Sequence, residues 1–347
     1  MKAALAHAGR LAGRWEGLLA LLLVVTVVYA DSTLPSFLTG LNLSAASAEF
    51  SERALMALTL TLIVIAGEID LSIASILGVS SAVFGRLIEG GMPLGLAVAV
   101  CLLTGAACGA LNGLLIVRLR LPSLMVTIGT LALFRGIANG MLGTEKVTQF
   151  PTAVTNFGYD YVPGTLVPWA VLVVVVVAIP VAFLLHATRW GRAIFAIGQN
   201  REAARFAGIS ADGIRFWLFV ASGLACALAG MMLTARLGSS GADNGLGFEL
   251  DVVAVVLLGG VSIYGGRGTL LGVALAVLLV NALQNALSLN DVSSDVQQIV
   301  VGSLLVLSAL AGGGTHLLRE RLRARSASRD GPDAAPLARP EPQLDDA

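Results

Sequence analysis

The sequence predicts an all-α integral membrane protein with about ten transmembrane helices, and three observations carry that prediction. Hydrophobic residues make up 56% of the 347 and charged residues only 13%, with a mean hydropathy of +0.85. Soluble domains carry about 25% charged residues, so roughly half the charge needed to clothe a globule is missing. The apolar residues gather into segments on the scale of a membrane crossing, about 20 residues each. The basic residues are distributed unevenly between the two sides that those segments define.

The first segment, Gly17–Ala30, follows Lys2, Arg10 and Arg14 and has the look of a signal peptide, with Val28-Tyr29-Ala30 as a weak cleavage-like tripeptide. The many apolar segments beyond it favour a retained span. They are Ala54–Gly67, Leu71–Ile88, Leu94–Val117, Leu121–Leu142, Thr165–Leu185, Phe216–Leu237, Leu250–Ile263, Thr269–Leu289 and Val296–Ala311. Ala54–Gly67 and Leu250–Ile263 are short, which suits broken helices whose backbone is satisfied by protein or by water in a cavity.

An inside N-terminus puts Lys2, Arg10, Arg14, Arg118, Arg120, Arg189, Arg192, Arg201, Arg205, Arg215, Arg267 and the tail arginines on the cytoplasmic side. Arg53, Arg86, Lys146 and Arg236 fall outside, and Arg135 lies within a span. The bias predicts cytoplasmic N- and C-termini in a multi-pass membrane protein. Residues 1–17 form a cytoplasmic N-terminus, 18–311 the transmembrane domain with a cytoplasmic loop at 186–215, and 312–347 a disordered cytoplasmic tail. Within that tail, Arg319–Arg325 is a stretch suited to anionic phospholipid. The loop Gly143–Gly164, outside the membrane in this topology, suits partner contact.

Composition excludes several function classes. The 22 basic and 22 acidic residues cancel, so net charge gives no basis for nucleic-acid binding. The only lysines are Lys2 and Lys146, and neither stands in a Walker A motif, so any ATP hydrolysis belongs to another subunit. Cys101, Cys108 and Cys226 sit in apolar stretches as small packed hydrophobes, and His7, His186 and His316 are scattered. No metal cluster, nucleophile-base pair or catalytic residue is predicted.

An internal repeat is visible at an offset of 181. Glu68-Ile69-Asp70-Leu71 followed by Leu77-Gly78 matches Glu249-Leu250-Asp251-Val252 followed by Leu258-Gly259. The two copies enter spans of opposite direction, as a five-plus-five inverted repeat requires. Glu68, Asp70, Ser72, Glu249 and Asp251 are therefore candidates either for helix starts, where the dipole favours anions, or for the solute pathway. Asn112, Asn139, Asn281, Gln284 and Asn285 are polar groups within spans that need partners across helices or in the solute. Gly105, Gly109 and Gly113, and separately Gly136 and Gly140, form small-residue faces for close helix packing.

Within the 186–215 loop, Asn200 is a good N-cap, Glu202 occupies a first turn and Gly208 supplies a stop. The pattern predicts a two-turn helix over Arg201–Ala207, with Ala203 and Ala207 on a small face and Arg201 and Arg205 on a basic one. Such a helix suits a groove on a soluble partner.

Glu202-Ala203-Ala204 followed by Gly208-Ile209 resembles the EAA loop of ABC importer permeases. Together with Gly67-Glu68-Ile69-Asp70-Leu71-Ser72 and Gly259-Gly260-x-Ser262-x-x-Gly265-Gly266-Arg267-Gly268, it resembles the ribose/xylose/arabinose/rhamnose class of monosaccharide permeases, from about Leu18 to Ala311. Many members of that class have Gly where this chain has Glu68, a departure that points toward a rhamnose or autoinducer-2-like subgroup. The resemblance implies no cofactor on this chain, with ATP and Mg on a partner ATPase. It also implies an extracytoplasmic sugar-binding protein and a second permease, identical or homologous. Asn200, Arg201, Glu202, Ala203, Ala204, Arg205, Gly208 and Ile209 would then couple to the ATPase. The alternative is a proton-coupled secondary transporter of a small polar solute, using the membrane carboxylates as proton sites.

Overall fold

The computed structural model describes residues 15–304 and 306. The described residues are helical apart from connecting segments and two isolated bridges, Val147 with Ser240 and Tyr161 with Pro168. The helices are α1 (Trp15–Thr33), α2 (Gly40–Ile65), α3 (Ile73–Glu89), α4 (Leu94–Arg118), α5 (Ser123–Leu142) and α6 (Thr152–Tyr159). They continue with α7 (Trp169–Ala187), α8 (Arg189–Gln199), α9 (Arg201–Phe206), α10 (Ala211–Leu237), α11 (Phe248–Leu258) and α12 (Leu270–Leu289). A further helix runs from 294 to 304. The expected N-terminal segment before Trp15, the tail 312–347 and the end of the last apolar segment lie outside the described residues.

Among the described residues six helices, α1, α4, α5, α7, α10 and α12, are long and apolar enough to cross a membrane. They differ in burial in a way that explains the layout. α10 is the central helix, with 72% of its apolar window buried, whereas α1 and α7 bury 11% and present leucine and valine outward. An exterior of that kind is stable only in hydrocarbon. Gly105 and Gly109 bring α4 onto α10: a Cβ at either would strike the backbone carbonyl of Gly223 or Phe219. The second small-residue pair behaves otherwise. Gly136 and Gly140 on α5 face open space, with no other helix against them among the described residues.

α2 is longer than its apolar core suggests. The segment read as a short span from Ala54 is the second half of a 26-residue helix that begins at Gly40 and carries Glu49, Glu52 and Arg53. Two of these charges are accommodated because their partners come from distant helices. Glu52, fully buried, accepts from Arg236 Nε at 2.9 Å, and Arg53 Nε lies 3.2 Å from Asp251. Arg53 and Arg236 are thus paired within the bundle rather than free on one membrane side. Arg53 also stacks over Phe248, 4.1 Å from the ring centroid.

Irregular backbone is satisfied internally. Ser239–Gly247, between α10 and α11, offers the carbonyls of Ala242 and Asn244 to Arg135 Nη1 at 2.8 and 2.9 Å, while Arg135 Nη2 donates to Ala74 O at 3.2 Å. Ser81, Thr234, Ser240 and Asn244 complete a buried hydrogen-bonded patch beneath this segment. This is how a membrane protein tolerates an unwound stretch.

The two copies of the acidic motif are not structurally equivalent. Glu68 and Asp70 precede α3 in a non-helical link, whereas Glu249 and Asp251 lie in the first turn of α11, where the helix dipole favours their charge. A different correspondence replaces that register. α2 ends with Ala66, Gly67 and Glu68 donating to Leu62, Val64 and Ile63; α11 ends with Gly259, Gly260 and Val261 donating to Val255, Leu257 and Val256. Gly67 and Gly260 both take a left-handed φ, +81° and +84°, as this helix stop requires. α1 is tied to the second stop: Trp15 Nε1 donates to Leu258 O at 2.7 Å and Glu16 accepts from Thr269 Oγ1 at 3.0 Å. The first apolar segment is therefore an integral part of the bundle.

Candidate functional site

The three glycine-bearing motifs, far apart in sequence, meet at one end of the bundle. Gly266 N donates to Ile65 O at 2.8 Å, joining the link after α11 to the end of α2. Gly198, in the last turn of α8, fits against both: a Cβ there would strike Ile65 O and Gly266 N. A Cβ on Gly265 would come 2.8 Å from Gly67 Cα and 2.9 Å from Gly198 O. Three backbones thus pack with no side chain between them, so glycine at 198 and 265 is a steric requirement.

α8 and α9 are mounted on this junction. Thr188 caps α8 by accepting from Trp190 N and Gly191 N, and α8 buries Gly191, Ile194 and Ile197. Asn200 then ends α8 and caps α9, its Oδ1 accepting from Ala203 N at 3.0 Å. The helix expected over Arg201–Ala207 runs Arg201–Phe206, and Gly208, at φ +80°, stops it. Only Ala204 of α9 is buried; Glu202, Ala203, Arg205 and Phe206 are exposed, Phe206 at 93%. Ile209 is half-buried and its N–H donates to Ala204 O. Phe206 is the residue that reasoning from sequence passed over. Its signal was available: a lone aromatic ring among small and charged residues on a two-turn helix. Tyr264, on the glycine-rich link, is exposed at 90%.

A line of alternating charges connects α9 to the non-helical link before α3. Asp212, in the first turn of α10, is approached by Arg201 Nη2 at 3.1 Å, by Arg205, and by Arg215 Nη1 at 3.4 Å. Arg215, whose side chain is 2% exposed, turns its other terminal nitrogen to Glu68 Oε1 at 2.5 Å. Glu68 is itself 11% exposed at the side chain. In the run Arg201/Arg205, Asp212, Arg215, Glu68 the buried members Arg215 and Glu68 face each other, which is the condition for burying either; the one positive charge in excess falls at the half-exposed α9 end.

Beyond Glu68 the link enters a buried polar cluster. Asp70, 1% exposed, accepts through Oδ1 from Ser72 N at 3.0 Å and Ser72 Oγ at 2.6 Å, and through Oδ2 from Ser222 Oγ at 3.3 Å. Asn112 Nδ2 donates to Ser72 Oγ at 2.7 Å. Asp70 therefore holds the start of α3 and fastens it to α4 and α10, with both carboxylate oxygens engaged.

The sequence-predicted pathway residues thus divide. Glu68, Asp70, Ser72 and Asn112 come together; Glu249 and Asp251 stand on α11, with Asp251 bound to Arg53. Asn139 is exposed on α5. Asn281, Gln284 and Asn285 line a separate shallow cleft with Glu49, Ser288 and Gln297. Among the described residues no cluster of three potential metal ligands occurs, and Cys101, Cys108 and Cys226 are unpaired thiols.

An outward apolar surface, a broken-helix core and a short helix presented on an ion-paired mount define a multi-pass membrane transport subunit. Residues 42–309 match the family described as branched-chain amino acid transport system / permease component, and the chain belongs to that family. It is a permease component of an ABC-type import system and not itself a catalytic subunit. The chain is 35% identical over 316 residues to the autoinducer 2 import system permease protein LsrD of Escherichia coli K12, covering 89% of this chain and 94% of that protein. The same identity and coverage relate it to LsrD of Shigella flexneri and of Escherichia coli O157:H7. No solved structure matches it.

Proposed function

We propose that the chain translocates a small polyhydroxylated solute, a monosaccharide or autoinducer 2 itself, across a bacterial inner membrane, driven by ATP hydrolysis on a partner. In this reading the chain has ten spans in two oppositely directed sets of five, with both termini cytoplasmic. α9 is the coupling helix: the face carrying Glu202, Ala203 and Phe206 seats in a groove of the ATPase, which holds ATP and Mg. An extracytoplasmic binding protein delivers the solute, and a second permease, identical or homologous, completes the pathway. The open small-residue face of α5 at Gly136 and Gly140 suits close approach of such a helix partner.

The observation that carries the reading is the mounting of α9. Its outer face is exposed, and its base is fastened to the link before α3 by Arg215 and Glu68 and to two helix stops by glycine contacts. A push on α9 is therefore delivered to the broken helices, which is what coupling hydrolysis to alternating access demands. Autoinducer 2 enters the proposal through the LsrD relatives and a monosaccharide through the motif resemblance.

The test is uptake by proteoliposomes holding the permease with its cognate ATPase and binding protein, using labelled autoinducer 2, rhamnose and pentoses. Uptake of one of these should require ATP and persist with a proton uncoupler. Uptake without ATP that collapses with the uncoupler would overturn the reading in favour of proton coupling.

A further inference from the structure

A concavity of about 570 Å³ lies beside α9, between the end of α4 and the start of α10. Leu114, Val117 and Phe216 supply its apolar lining, and Arg118 and Arg120 line it as well. Both arginines are exposed, and neither forms an ion pair among the described residues. Arg120 is held in a left-handed turn, φ 55°, one of two non-glycine residues with positive φ among those described. This is an uncommon conformation for a long side chain, and it fixes where the second cation leaves the backbone.

The third ionisable lining residue, Asp212, does not cancel these cations. It is already shared by Arg201, Arg205 and Arg215, so the concavity keeps an excess of positive charge. The surroundings are apolar and outward-facing. Leu119 and Leu121 flank Arg120 at 61% and 37% exposure, Leu114 is 46% exposed, and Trp217 is 62% exposed, edge-on to Phe216 with ring centroids 5.3 Å apart. Arginine at the end of an apolar helix, with tryptophan and bare leucine at the same level, is the composition of a membrane-water boundary. A soluble protein partner would leave that leucine and tryptophan surface unexplained; a lipid molecule uses both halves of it.

We infer that this concavity binds one anionic phospholipid, its phosphate between Arg118 and Arg120 and its acyl chains along Leu114, Val117 and Phe216. Because Asp212 forms part of the lining and also anchors Arg201 and Arg205, an occupied site borders the mount of α9. The inference requires only that the chain sits in a membrane, and it stands apart from the identity of the solute.

The experiment uses the full-length permease alone, purified, delipidated and placed in phosphatidylcholine nanodiscs with a minor fraction of spin-labelled phosphatidylglycerol or spin-labelled phosphatidylcholine. Wild type should enrich phosphatidylglycerol over phosphatidylcholine in the motionally restricted signal. The variant Arg118→Gln/Arg120→Gln should lose about fivefold per arginine, on the order of 20- to 30-fold for the pair. Arg118→Lys/Arg120→Lys should keep most of the preference and verifies that the fold tolerates change there. Inorganic phosphate at millimolar concentration should not displace the labelled lipid; displacement would identify a free-anion site and overturn the assignment. Equal enrichment in wild type and the glutamine variant would also overturn it. So would an unchanged lipid signal accompanied by loss of ATPase binding in the same variant, because the arginines would then serve the protein interface.

Discussion

Replacing Glu68 by glutamine removes the counter-charge that lies 2.5 Å from Arg215 without changing the volume of the side chain. Breaking a buried ion pair from one side costs about 3–5 kcal/mol, chiefly because the surviving charge stays buried. Arg215 retains Asp212 at 3.4 Å, so the lower end applies, about 3 kcal/mol. Arg215→Met strands Glu68 in the same way and should cost about as much. The double variant Glu68→Gln/Arg215→Met leaves neither charge uncompensated, and such replacements are close to neutral. It should therefore be less destabilised than either single variant, with a coupling energy between about 3 kcal/mol and about 6 kcal/mol, the upper figure holding if the double variant is neutral. The assay is heat-induced exposure of Cys226, fully buried in the fold, to a thiol-reactive dye in detergent-solubilised protein. With an unfolding entropy of about 2.1 cal/mol/K per residue, 1 kcal/mol shifts the midpoint of a chain this long by about 1.4 °C, so each single variant should melt roughly 4 °C lower and the double variant should recover most of that. If the two losses instead add in the double variant, Glu68 and Arg215 are not partners, and the charge line from α9 to α3 does not exist as described.

Other perturbations give equally definite outcomes. Gly198→Ala puts a methyl group against Ile65 O and Gly266 N and should destabilise by about 1–3 kcal/mol in the same melting assay, while Gly136→Ala, which meets open space, should not. Phe206→Ala should leave melting unchanged, since the ring is exposed, yet weaken ATPase binding by about 2 kcal/mol or more, roughly 30-fold, measured by titration of the purified ATPase. Asp70→Asn keeps an acceptor for the Ser72 donors and should retain uptake, whereas Asp70→Ala orphans Ser72 and Ser222 and should melt lower by about 1–3 kcal/mol; loss of uptake in a well-folded Asp70→Asn would instead place the charge on the solute route.

What could be read from the sequence follows the range of the interaction. Apolar segments and caps are local: each predicted apolar segment overlaps a helix where described, though Leu250–Ile263 runs past the end of α11 at Leu258, and Asn200 and Gly208 bound α9 as their chemistry requires. The glycine motifs were visible as motifs, but their meeting was not, since Gly67, Gly198 and Gly265 are joined only by the fold. The length of α2 was misjudged because Glu52 and Arg53 look prohibitive in a membrane helix until Arg236 and Asp251 arrive from the other half of the chain. Arg215 was counted only as a sidedness charge for the same reason. The acidic repeat misled in register: similar residues at Glu68 and Glu249 serve a non-helical link in one case and a first helical turn in the other.

The glycine junction has a mechanical consequence. Side chains absorb small displacements by changing rotamer, and a contact made of them acts as a damper. Where Gly198, Gly265 and Gly67 touch backbone to backbone there is nothing to rotate. Any tilt given to α8 must be taken up by the main chain at the ends of α2 and α11 together, so the joint works as a common fulcrum for two helices that the sequence places almost 200 residues apart.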